Sequence, residues 1–328
     1  MTDQTPLPDE IVPSPQPETA RPRWRMPVPW TWVGAAVAGG LVFAYLTGMA
    51  VAHKIDGDPE FGSGPVAAGH SRTVAVATAL IHREVDLHGW TANDPFFMPS
   101  WALDDMPHFQ QGIITALARF TAAVADENGL LRGPNGTDPE LERAAGLLKY
   151  SGTTWMFDPR TAWSRTASSE KMYRNAMRSL DIYNERLAAG TAGFERRPAA
   201  LAGMLSAVAR DLGAGADTVG RHIEERHWAL FDVQADDLFY AAKGRLYAYS
   251  LLLRELHADA APVINSRELG PAWAHMVETF RAAARLDPLV VTNGAPDAAL
   301  LPSHLASQGF LLERARAEAA QMADALRR

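Results

Sequence analysis

Residues 28–52 read VPWTWVGAAVAGGLVFAYLTGMAVA, and no formally charged residue occurs between Arg25 and Lys54. From Val28 to Ala52 this is an apolar run of 25 residues. At about 1.5 Å rise per residue it makes roughly 37 Å of helix, enough to cross a hydrocarbon core of about 30 Å with some tilt. Trp30 and Trp32, with Trp24 just before them, suit the headgroup boundary, where an indole keeps its polar edge wet and its body in lipid. Ala50-Val51-Ala52 has the small-x-small form that a signal peptidase cuts. A cleavable apolar region, however, runs about 7 to 15 residues. Length therefore favours a retained anchor over a cleaved signal.

The flanks give an orientation. Arg21, Arg23 and Arg25 crowd the N-terminal side, whereas Lys54 is followed by Asp56, Asp58 and Glu60. The Lys/Arg asymmetry places the N-terminus in the cytoplasm of a bacterial inner membrane and the rest of the chain in the periplasm. Within the span, Gly40, Ala44, Gly48 and Ala52 form a row of small residues at i, i+4. Such a row admits the close approach of a second membrane helix, although small residues are also frequent in spans without a partner.

Outward from the span, residues 1–27 carry seven prolines, from Pro6 to Pro27, with few apolar anchors, and read as a disordered cytoplasmic leader. Residues 53–69 are rich in Gly, Pro and acid and read as a short linker. Residues 70–328 form the periplasmic domain. Its apolar residues recur at steps of three and four: Val74, Ala77, Ile81 and Val85, then Phe109, Ile113, Leu117, Phe120 and Val124 up to Gly129. Thr137-Asp138-Pro139-Glu140 reads as a capping box with proline in the first turn. Further stripes run over 172–187, 201–212, 217–223 (capped by Asp217), 236–256, 273–280 and 305–322. Only Leu289–Thr292 resembles a strand, with nothing evident to pair with. The fold class is all-α: an N-terminal transmembrane helix followed by a soluble domain of about nine helices.

The full chain has 328 residues, 47% of them hydrophobic and 21% charged, the balance of a folded protein. The absence of cysteine excludes disulfides, thiolate metal sites and Cys nucleophiles. A net charge of −7 argues against nucleic acid as a partner.

The longest irregular connection, Gly89 to Pro107, carries Trp90, Phe96, Phe97 and Trp101 together with Asp94, Asp104 and Asp105, and leads into His108 and Gln111. A loop of that length in a compact domain binds something or packs as a cover. The plain alternative is that Asp94-Pro95 makes a turn, Asp105 caps the next helix and the aromatics fill core. Asp236-Asp237, ahead of Phe239 and Tyr240, either joins those acids as an acid–base pair or caps a helix. The candidate binding residues are Trp90, Asp94, Phe97, Trp101, Asp104, His108, Gln111, Asp236 and Tyr240. No metal site or cofactor is expected: His222 and His227 stand at i, i+5, about 140° apart on a helix, which is the wrong spacing for a zinc pair. Ser168-x-x-Lys171 lacks the companion elements of a serine acyltransferase and reads as a helix start.

Gly89-Trp90 with Asn93-Asp94-Pro95-Phe96-Phe97, Phe109-Gln110-Gln111-Gly112-Ile113, Tyr173-Arg174-Asn175-Ala176 with Tyr183-Asn184, Asp236-Asp237-Leu238-Phe239-Tyr240, and the segment from Asn293-Gly294 to Ser303-His304-Leu305 form a set. In these the chain resembles a family of uncharacterised single-pass inner-membrane proteins of proteobacteria. The resemblance implies an anchor and a helical domain and assigns no catalytic residue. The function expected is therefore a non-enzymatic envelope scaffold or assembly and binding factor, with the membrane and an envelope protein as partners. The alternative is an envelope hydrolase using carboxylates or His108 near the aromatic loop.

Overall fold

The computed structural model describes residues 30–132, 137–156, 166–226, 232–288, 291–293 and 303–328. The leader with Trp24, the strand-like residues 289–290 and His227 lie outside them, and 291–293 have no regular structure. The chain divides into two units, Met1–Ala44 and Tyr45–Arg328. The first consists, as far as it is described, of most of α1 (Trp30–Ala52), an uninterrupted helix with no charged residue. Trp32, Leu41 and Phe43 are each more than half exposed along it, a surface that water disfavours and lipid matches. Among the described residues α1 is the one helix long and apolar enough to cross a membrane, a property shared by anchors and signal sequences.

The second unit is helical throughout, with no strand among the described residues. Its helices are α2 (Arg72–His82), α3 (Asp105–Arg132), α4 (Pro139–Leu148), α5 (Ser169–Ala188), α6 (Pro198–Arg226), α7 (Val233–Asp259), α8 (Ala261–Ser266), α9 (Gly270–Ala284) and α10 (His304–Arg327). A π-helical turn, Arg83–Leu87, prolongs α2, and a 3-10 turn, Pro99–Ala102, lies in the long connection before α3.

The expected all-α class holds, but several boundaries move. The separate helix capped by Asp217 does not exist, because α6 runs unbroken through Gly213, Gly215 and Gly220. A glycine inside a helix costs only about 1 kcal/mol, and α6 packs extensively along α10. The cap of α4 is Asp138, which accepts from Glu140 N at 2.8 Å, and not Thr137. Pro139 pushes the residue before it into extended backbone, which is the conformation a cap needs. Likewise α7 is capped by Asp232, which accepts from Ala235 N, so Asp236 and Asp237 stand inside its first two turns.

α3 and α7 form the centre: α3 also touches α4 and α6, and α7 touches α2, α9 and α10. Their approach is set by two glycines. A Cβ on Gly112 would lie 2.3 Å from the Ala241 carbonyl oxygen, and one on Gly244 would lie 2.1 Å from that of Phe109. The two backbones are thus in contact, flanked by buried Phe109, Ile113, Leu246 and Tyr247. This crossing brings the start of α3 against the start of α7.

The linker differs most from its sequence reading. It has little regular structure, yet it is pinned to the helices. Asp58 O accepts from Tyr247 Oη at 2.9 Å, Pro59 O from Arg254 Nη1 at 2.8 Å and Phe61 O from Arg254 Nη2 at 2.6 Å. Arg83, 2% exposed, lies 4.4 Å over the Phe61 ring, 3.4 Å from Asp56 and 2.7 Å from Glu84.

Candidate functional site

The α3–α7 crossing assembles Asp104, Asp105 and His108 from one side and Asp236, Asp237 and Tyr240 from the other. Asp105 and Asp236 share a hydrogen bond, so one of them carries a proton. Burial, followed by the bond and the charge of Asp105 and by the charges of Asp104 and Asp237, pushes the Asp236 carboxyl up to about 7. Tyr240 also bonds Asp105, and its hydroxyl is held well above the ordinary tyrosine value, first by burial and then by the charges of Asp105 and Asp236. Beside this pair, His108 Nδ1 lies 2.9 Å from the Asp104 carbonyl oxygen and 3.1 Å from Asp237 Oδ1. A carbonyl only accepts, so Nδ1 carries its proton toward it. The contact with Asp237, whose Oδ1 has no hydrogen-bond partner among the described residues, is then electrostatic.

Two kinds of chemistry are open to such a cluster. A carboxyl that titrates near neutrality beside an ionised carboxylate is an acid–base pair. Asp104, His108 and Asp237 also present one ligand atom each, all within 4.8 Å of one another, the oxygen and nitrogen donors that suit a hard or borderline cation. Sequence reading had placed no metal ligands here, because two of the three residues come from α3 and its approach and the third from α7.

The second feature is an aromatic edge. Phe96, Phe97, Met98 and Trp101 are 73%, 60%, 41% and 58% exposed. Phe97 stands edge-on to Phe96 and to Trp155. The loop backbone is fastened to the last two turns of α1: Tyr45 Oη donates to Met98 O at 3.2 Å, and Gly48 faces the Pro99 ring so closely that a Cβ there would lie 2.6 Å from it. Gly48, one of the four small residues offered for a helix partner, is thus met by the chain's own loop. Gly40 has nothing within 4 Å of its Cβ position.

The nine candidate residues therefore fall into three groups. Asp104, His108, Asp236 and Tyr240 converge. Phe97 and Trp101 share the exposed edge. Trp90, Asp94 and Gln111 are taken up by packing and turns. Trp90 is buried, donates to Gly152 O at 2.8 Å and stands edge-on to Tyr173. Asp94 is bonded to Ser100 within the loop, its pKa raised first by burial. Gln111 donates to Pro107 O and lines a different hollow, with Arg119 and Lys149. Asp105, which the sequence offered either to a polar site or as a helix cap, belongs to the cluster. Arg83 and Glu84 were missed, and their only trace in the sequence is a charged pair falling within the apolar stripe from Val74 to Val85. Outside the cluster, His222 pairs with Asp232 at 2.7 Å, and Ser168 occupies the cap position of α5 without a side-chain bond.

Neither the curated proteins nor the solved structures yield a match to this chain. A family model does match, over residues 59–230; that range takes in the pinned linker from Pro59 onward, the aromatic edge and the α3 half of the cluster, and stops before α7. By this match, which spans just over half its length, the chain belongs to the family described as uncharacterized protein conserved in bacteria, DUF2333.

Proposed function

We propose that the protein is a membrane-anchored binding or scaffolding factor of the bacterial envelope. Its N-terminus lies in the cytoplasm, α1 crosses the inner membrane and the helical domain stands in the periplasm. The arginines before α1 support the orientation. The observation that carries the reading is the aromatic edge: four large apolar side chains left exposed in one loop, on a domain whose linker is fastened to it. Residues of this type make large contacts at low entropic cost, and they stand where neighbours at membrane level are met.

The chain has no native cysteine, so single replacements report location cleanly. Thr5→Cys and Phe310→Cys separate the two sides: a membrane-impermeant thiol reagent added to intact spheroplasts labels 310 and spares 5. Labelling of 5 alone reverses the orientation, and loss of residues 1–52 from the mature chain replaces the anchor by a signal sequence. In the same cells, Phe97→Ala with Trp101→Ala reduces cross-linking to envelope components, whereas Asp104→Asn with His108→Gln does not.

A second reading, an envelope hydrolase, is favoured by one observation, the convergence of Asp104, Asp105, His108, Asp236 and Asp237. In it Asp236 donates the proton and Asp237, beside His108, activates water. If the cluster replacements abolish cellular function while folding and cross-linking persist, this reading replaces the first.

A further inference from the structure

We infer that the loop bearing Phe96, Phe97, Met98 and Trp101 enters the bilayer itself, as a second, interfacial membrane contact that holds the helical domain in one orientation. This rests on the reading of α1 as a membrane span. The level of the loop is the first argument. The apolar run ends at Ala52, and the loop is fastened to Gly48 and Tyr45. At about 1.5 Å per residue, those contacts lie roughly 6 and 10 Å back toward the middle of the span, the depth to which interfacial segments sink. A side chain held there meets lipid and not water; Trp101 is of the kind that the boundary favours, and Phe96 and Phe97 of the kind that interfacial segments bury.

The second argument is rigidity. Arg254 holds Pro59 and Phe61, Tyr247 holds Asp58, and Arg83 stacks on Phe61. The chain leaving α1 is therefore fastened to the same domain that carries the loop, and the loop stays at its level. The third argument is charge. Between Gly89 and Pro107 there is no lysine or arginine, only Asp94, Asp104 and Asp105. Asp94 turns inward to Ser100 and Asp105 to Asp236. Attraction to anionic headgroups is absent, so apolar burial drives the contact and zwitterionic lipid suffices.

The test uses the full chain, carrying one cysteine at a time and a nitroxide label, reconstituted in phosphatidylcholine vesicles with and without phosphatidylglycerol. Labels at Phe97→Cys and Trp101→Cys should collide several-fold less often with a water-soluble nickel chelate, and more often with oxygen, than labels at Ile182→Cys and Phe310→Cys, which bracket them in exposure. Added phosphatidylglycerol should leave the contrast unchanged or weaken it. Equal nickel accessibility at all four positions overturns the inference. So does immersion of 97 and 101 that appears only in native membranes and not in pure lipid, since the occupant is then a protein, and the anchored scaffold reading survives. Leu41→Cys reports the anchor separately: if it is as open to nickel as 310, the span itself fails and this inference fails with it.

Discussion

Asp236 shows how a helix-start carboxylate becomes chemically distinct. In isolation it would complement the dipole of α7 as an ionised acid. Facing Asp105 and half-buried, it keeps its proton to about pH 7. Its folded pKa is raised above the unfolded value, so its contribution to stability is fully present below about pH 4 and is lost as pH rises through about 7. Asp236→Asn supplies a permanent donor to Asp105 and removes that loss. Discounted for solvent screening at a half-exposed site, the variant should be about 1–2 kcal/mol more stable relative to wild type at pH 8 than at pH 5. Thermal melts by circular dichroism at both values check the sign. Arg83 has the opposite character. Its partner Glu84 is 0% exposed, so Arg83→Ala leaves a buried carboxylate with Gln110 and His88 as its remaining neighbours, at a cost of about 3–5 kcal/mol. Urea titration at neutral pH reads that cost; a change below 1 kcal/mol would mean that water or another cation replaces the guanidinium.

At the scale of elements, the crossing of α3 and α7 depends on glycine at two positions. Gly112→Ala and Gly244→Ala each drive a methyl group into a carbonyl of the opposite helix, and each should destabilise by at least 1–3 kcal/mol, the usual cost of overpacking. Because the crossing sets the Asp105–Asp236 contact, the same variants should also flatten the pH dependence described above. Gly220, inside α6, has nothing within 4 Å of its Cβ position. Gly220→Ala should stabilise by about 0.5–1 kcal/mol, since only helix propensity changes. The three variants, compared by thermal denaturation, separate glycine as a spacer from glycine as a tolerated weak point.

At the scale of the whole molecule, the segment that follows the apolar helix belongs to the domain. Removing residues 1–52 leaves the Asp58, Pro59 and Phe61 contacts in place, whereas removing residues 1–70 strips them and exposes Arg83, Tyr247 and Arg254. The longer truncation should melt about 5–10 °C lower, as expected for a loss of about 2–3 kcal/mol in a domain of this size. Equal melting temperatures would show that the linker contacts do not contribute to the fold. Both truncations should remain strongly helical in the far ultraviolet, because the helices themselves are packed on one another.

The sequence by itself determined the apolar helix, the all-α class and most helix positions, because a 3.6-residue period and an uncharged 25-residue run are local and additive signals. It named Asp104, His108, Asp236 and Tyr240, but could not bring α3 and α7 together: the two glycines that permit their contact look like any helical glycine until a partner backbone lies 2.1–2.3 Å from the missing Cβ. For the same reason it read Trp90 and Phe97 alike, although one is buried against Tyr173 and the other exposed. It read two helices, 201–212 and 217–223, where α6 runs unbroken along α10, and residues 53–69 as a linker where Arg254, more than 190 residues away, holds them. Tertiary structure decided these, because which side of a helix finds a partner, and whether a charged side chain reaches across the fold, depends on contacts between residues far apart in the chain.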